Sequence, residues 1–146
     1  MTLPTPEQQE ACKRLVLEAA FRADQQDYEG LAELFTEDAL LYRPSAPRTP
    51  LKGRDAILNS YLVRPASRIT RHLCSNFRFS RESADCVRVR CYVQLYASSG
   101  PAEPGDPFGA PLDGKVLIGE LDDLCRHGSD GWRLAERHAC FVLYGE

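Results

Sequence analysis

Residues 21–44 read FRADQQDYEGLAELFTEDALLYRP, and the fold follows from how this stretch divides. It is the end of one helix, a polar joint, a short second helix, and the beginning of a strand. Asp24 sits at the joint, with Leu17, Ala20 and Phe21 seven, four and three residues before it. Those offsets lie on one side of a helix, so the carboxylate borders an apolar patch. A negative charge in a last helical turn also opposes the helix dipole. Two unfavourable placements of one charge suggest a use for it.

Upstream, Thr5-Pro6-Glu7-Gln8 is a helix start: Thr caps, Pro takes the first helical position, and Gln three residues after Thr completes a capping box. Ala11, Cys12, Leu15, Val16, Ala19, Ala20 and Ala23 then recur at helical spacing, which predicts a helix over 6–24. Asp27 reads as the N-cap of a second helix over 28–35 that buries Leu31, Leu34 and Phe35. A first strand is expected over 39–43, ended by Pro44 and a loop, SAPRTP. Gly53 precedes a third helix over 54–63, with Ile57, Leu58, Tyr61 and Leu62 on its inner side and Pro65 beyond it.

The second half changes to a period of two. A strand is expected over 69–79 with Thr70, His72, Cys74 and Asn76 on one face. Another spans 86–96, where Val87, Val89, Cys91, Val93 and Leu95 alternate with Arg88, Arg90, Tyr92 and Gln94. Residues 98–114 form a Pro/Gly-rich loop of a length that is usually mobile or functional. Strands over 115–126 and 132–143 follow, joined by a turn at 127–131. Helices first and a strongly curved, mainly antiparallel sheet second make an α+β domain spanning 1–146, with a conical pocket between sheet and helix for a small molecule.

Charged residues at 27%, a net charge of -3 and a pI near 5.7 give no reason to expect nucleic acid. No run approaches the roughly 18 apolar residues of a membrane helix, and residues 1–14 show no signal-peptide pattern, so a cytoplasmic location is expected. Six cysteines then read as reduced, packed thiols. His72, Cys74, Cys86 and Cys91 are the one conceivable zinc set, but the close-paired spacing of such sites is missing. No metal and no cofactor are expected.

Four segments follow one another in a familiar order: ADQQDYEGLAELFTEDALLY from Ala23, GRDAI from Gly53, TRH from Thr70 and DGWRLAERH from Asp130. Together they resemble the SnoaL-like branch of the nuclear-transport-factor-two-like superfamily. That group includes scytalone dehydratase, bile-acid dehydratase, a lindane dehydrochlorinase, polyketide cyclases and ketosteroid isomerase. The resemblance implies a cone-shaped α+β barrel, with three N-terminal helices packed on the curved sheet. In its dehydratase and dehydrochlorinase members an Asp ending the first helix orients a His on the strand after the third helix. The matching positions are Asp24 and His72. The base of ketosteroid isomerase would fall near Arg43 and its oxyanion tyrosine on Ala19, so that chemistry is disfavoured. The second His of scytalone dehydratase has no counterpart; its region offers Tyr92, Gln94 and Tyr96.

The resemblance implies a cofactor-free lyase, a dehydratase or else a cyclase or isomerase, acting on a small cyclic, largely apolar substrate. His72 is the expected general base and Asp24 the group that fixes its tautomer. Tyr42, Tyr61, Tyr92 and Tyr96 are candidate substrate contacts, Tyr42 first among them as an oxyanion donor. Arg43 is a candidate for binding an anionic group. Asp123 either reaches the cavity or pairs with Arg133 or Arg137. The rival reading is a non-catalytic subunit or binding module of the same fold, such as a small subunit of a ring-hydroxylating dioxygenase. Apolar side chains on the outer sheet suggest a homodimer or homotrimer.

Overall fold

The computed structural model describes residues 2–100 and 102–146. Helix α1 spans Pro6–Asp24 and begins with the capping box: the Thr5 hydroxyl accepts from the Gln8 N–H, and the Gln8 side chain accepts from the Thr5 N–H. Its buried face is Cys12, Leu15, Val16 and Ala19. The helix stops where Gln26 adopts φ 59, a left-handed turn unusual for a residue with a Cβ. Asp27 then caps α2 (Tyr28–Glu33) by accepting from the Gly30 N–H.

Helix α2 is shorter than its sequence suggests. Leu34 caps it, and Phe35 opens strand β1 (Phe35–Arg43) instead of closing the helix. The Leu34 carbonyl accepts from the Leu134 N–H, and Phe35 is fully buried opposite Leu134. Pairing with a distant strand overrides local helix propensity here. The stretch SAPRTP is also not a loop. Strand β2 (Ala46–Lys52) folds back on β1 as a hairpin. It tolerates Pro47 and Pro50 because it is an edge strand, paired on one side only.

Helix α3 (Arg54–Leu62) follows Gly53, whose φ of 92 suits glycine and whose N–H reaches the Ala39 carbonyl. Four long strands complete the chain: β3 (Ile69–Ser83), β4 (Cys86–Ser98), β5 (Val116–Gly128) and β6 (Gly131–Gly145). The sheet order is β2-β1-β6-β5-β4-β3. Every neighbouring pair is antiparallel except β1 and β6. The mixed sheet curls without closing, and α1 packs in its concavity against Val87, Val89, Cys125 and Leu134. No helix among the described residues is long and apolar enough to cross a membrane.

Two features bend the sheet. In β3 the register slips between Ser75 and Arg78, with Asn76 at φ 58. The bulge leaves Asn76 exposed and gives Phe77 the core-packed place, so the expected row Thr70, His72, Cys74, Asn76 ends at Cys74. In β5 the slip lies between Ile118 and Gly119. A Cβ on Gly119 would stand 2.3 Å from the Cys140 carbonyl oxygen, so only glycine lets β6 approach here. Gly119→Ala is expected to destabilise the protein by about 1–3 kcal/mol, measured by urea denaturation. An unchanged midpoint would show that the backbone yields at this bend.

Candidate active site

Strand β3 is the other edge of the sheet, so one side of its backbone lacks a ladder partner. The last residue of α1 fills that gap. Asp24 Oδ2 accepts the His72 backbone N–H at 2.9 Å, and Oδ1 lies 2.6 Å from His72 Nδ1 and accepts the Thr70 hydroxyl at 2.9 Å. The carboxylate thus reads both the backbone and the ring of one residue, which fixes the imidazole in position and plane. With Nδ1 donating to Asp24, the lone pair of the neutral ring resides on Nε2.

Burial pushes the Asp24 carboxyl up, but the hydrogen bonds from the His72 ring and backbone, its charge and the Thr70 hydroxyl outweigh that. The net position is below the ordinary carboxylate range, so Asp24 is ionised at neutral pH. A carboxyl depressed in the folded state adds stability that is fully present above its unfolded value, about 3.9. That stability is lost as pH falls through the folded value. Acid titration is therefore expected to unfold Asp24→Asn with a shallower pH dependence below about pH 4 than the parent. Parallel acid curves would show that the carboxylate gains nothing from its partners.

His72 lines a cavity of about 570 Å3 between α1, α3 and the concave sheet. Its walls are apolar at Ala20, Leu41, Val93 and Leu95, and arginines stand among the polar lining. Asp24 lies behind His72, with 8% of its side chain accessible against 25% for the imidazole. A more open groove of about 780 Å3 runs beside α1 near Glu7, Arg14 and Trp132. Among the described residues no histidine or cysteine lines it, whereas the smaller, more enclosed cavity holds both His72 and Cys74.

Of the side chains expected to contact a substrate, Arg43 and Tyr61 line this cavity. Tyr42, Tyr92, Tyr96 and Asp123 do not. Leu41 and Arg43 face the cavity, so Tyr42 between them faces away, where its ring stacks on His138 at 4.1 Å. Val93 and Leu95 face inward, so Tyr92 is half exposed on the outside, and Tyr96 donates to Gln94 on that same face. Asp123 is fully buried and accepts two hydrogen bonds from the Arg137 guanidinium, at 2.8 and 2.7 Å. Arg137, not Asp123, reaches the cavity. Burial alone would lower the Arg137 pKa; the Asp123 charge and hydrogen bonds raise it beyond its ordinary value.

Several site residues escaped the sequence reading. The sequence pattern puts Thr70 on the face of His72 but carries no sign of its bond to Asp24. Gln26 holds the segment after α3 against the joint, its amide donating to the carbonyls of Ala66 and Arg68 at 3.0 and 2.7 Å. That tether sets Arg64 and Arg68 at the cavity, in a stretch that reads only as the end of a helix. Cys74 lines the cavity, paired across the sheet with Val93, and all six cysteines are free thiols. Among the described residues no three His, Cys, Asp or Glu side chains converge as metal ligands. His72 is engaged by Asp24, and Cys86 lies at the start of β4 opposite Ser83.

The architecture has close counterparts among solved structures. A protein provisionally assigned as a scytalone dehydratase from Novosphingobium aromaticivorans DSM 12444 superposes with a TM-score of 0.77 at 21% identity, over 93% of this chain and 85% of that one. A protein provisionally assigned as an aromatic ring hydroxylase from the same species gives 0.77 at 21%, over 97% and 95%. A provisionally assigned dehydratase of the NTF2-like family from Streptomyces avermitilis gives 0.74 at 20%, over 94% and 99%. At such identities these likenesses establish the fold alone. No curated protein matches the sequence. The sequence profile of the SnoaL-like domain, however, matches residues 4–138, from the cap of α1 to His138 on β6. The curled sheet, the three helices and that match agree, and the chain belongs to the SnoaL-like domain family.

Proposed function

We propose that the protein is a cofactor-free lyase, a dehydratase foremost, acting on a small cyclic and largely apolar substrate. Cyclisation or isomerisation would share its first step, proton removal. The observation that supports this reading is the Asp24–His72 pair at 2.6 Å, with the imidazole on the wall of an apolar-sided cavity. His72 Nε2 takes a proton from carbon next to the carbon that bears the leaving group. Asp24 holds the tautomer and stabilises the imidazolium, and the proton passes from Nε2 to the departing hydroxyl, which leaves as water. General acid–base catalysis of this kind contributes roughly a hundred- to ten-thousand-fold. The test is incubation with a panel of small cyclic hydroxy-ketones, read by mass spectrometry for loss of water. No turnover with any member, together with tight binding of one, would favour the non-catalytic module instead. The likeness to the protein assigned as an aromatic ring hydroxylase is what keeps that second reading in view.

We further propose a homodimer or homotrimer built through the outer sheet, where Leu73, Tyr92 and Leu143 are more than half exposed. Sedimentation at micromolar concentration is expected to give a multiple of 16.4 kDa. A monomer would refute it.

A further inference from the structure

Four arginines line the cavity beside His72: Arg43, Arg64, Arg68 and Arg137. Arg137 is matched, charge for charge, by Asp123. The other three make no ion pair among the described residues. Arg64 lies over the Tyr61 ring, 4.3 Å from its centroid, a contact that uses the guanidinium face and leaves its N–H edge free. Arg68 influences Asp113 only through space. Arg43 is the most telling, because its Nε is buried and has no hydrogen-bond partner. A buried guanidinium N–H without an acceptor is costly, and native proteins rarely keep one without use.

The acid content of the lining does not offset these cations, since Glu120 is its single carboxylate. The excess is local, because the whole chain carries -3. Beyond the arginines the walls are apolar, at Ala23, Leu41, Leu95 and Leu117 among others. An apolar cavity with unmatched guanidinium groups fits an amphiphilic anion, and the planar fork of Arg fits a carboxylate in particular. The Arg43 charge and its unmet N–H exist before any reaction, so the matching group must be anionic on arrival, and not only in a transition state.

We infer that the substrate carries a permanent carboxylate on an apolar ring system, bound by Arg43 with help from Arg64 and Arg68 while His72 works on the ring. The word substrate rests on the catalytic reading proposed above; the anion site does not. The test is calorimetric titration of the intact protein with 1-naphthoate and with its neutral counterpart 1-naphthamide. Wild type is expected to bind the carboxylate at least about tenfold more tightly, the size of one charge-assisted hydrogen bond. Arg43→Met is expected to erase that preference while leaving amide binding, which also reports a folded cavity. Should Arg43→Met fail to fold, Arg64→Gln/Arg68→Gln at the exposed rim is expected to reduce the preference severalfold. His72→Ala is expected to keep it. Equal affinity for the two ligands, a preference that survives both sets of arginine changes, or no binding of the carboxylate would overturn the inference. A carboxylate preference in a protein without turnover would sink the catalytic reading alone, and turnover of neutral substrates without that preference would sink this inference alone.

Discussion

Asp24→Asn is expected to fold with its cavity intact and to lose about four orders of magnitude in kcat, as when the buried carboxylate of a catalytic triad becomes an amide. The amide is the same size as the carboxylate: with its oxygen in the Oδ2 place it still accepts the His72 N–H, and its nitrogen, in the Oδ1 place, donates to the Thr70 hydroxyl oxygen and faces Nδ1. What it loses is the charge opposite Nδ1 and the certainty of which ring nitrogen carries the proton. An amide N–H directed at Nδ1 moves the ring proton to Nε2, and the base is then blunt on the side that faces the cavity. The change is visible without a substrate. Nitrogen-15 correlation spectra of the imidazole should show the Nδ1–H tautomer of His72 in the parent and its loss in Asp24→Asn. His72→Ala should cost at least as much activity, since it removes the base itself. Full turnover in either variant would refute the proposed mechanism, whatever the spectra show.

The largest stability effect is expected at the other carboxylate. Asp123 has no accessible surface and Arg137 is 8% exposed, so their ion pair is sealed between β5 and β6. Asp123→Ala leaves the guanidinium charged and without its two acceptors, and is expected to destabilise the protein by about 3–5 kcal/mol. Replacing both partners, as Asp123→Leu with Arg137→Met, is expected to restore most of that loss, because the pair is compensated rather than strongly favourable. Urea denaturation of the two variants decides the matter. A single replacement costing less than about 1 kcal/mol would mean that solvent reaches Arg137 when Asp123 is gone.

How legible this was depends on how local the cause is. The boundaries of α1 were readable because a capping box and a helical stripe act within a few residues. The long strands β4, β5 and β6 were readable because period-two alternation survives in any context. Strand β2 was not, because prolines mark loops unless the strand is an edge, and edge position is a property of the whole sheet. The ends of α2 and the bulge at Asn76 were hidden for the same reason: each is set by a partner strand. The pairing of Asp24 with His72 came from the resemblance and the order of segments, not from local chemistry. Even then, Thr70 as a third contact followed only from the free edge of β3. The tyrosines are a different case. The row Val87, Val89, Cys91, Val93, Leu95 assigns Tyr92 to the opposite face, and parity alone takes it and Tyr96 away from the cavity.

The single parallel seam, β1 against β6, has a consequence for how the chain is made. Synthesis is vectorial, and Phe35–Arg43 leaves the ribosome long before Gly131–Gly145, the strand that must lie beside it. Until then the buried side of β1, with Phe35, Ala39 and Leu41, has only the β2 hairpin and the helices for company. Contacts that span most of the sequence close last and slowly, because the loop between them must be ordered first. The cavity floor contributed by β1 therefore joins the wall contributed by β3 and β4 only when the final strand arrives, and a nascent chain halted before Trp132 presents the unpaired edge of β1 to chaperones.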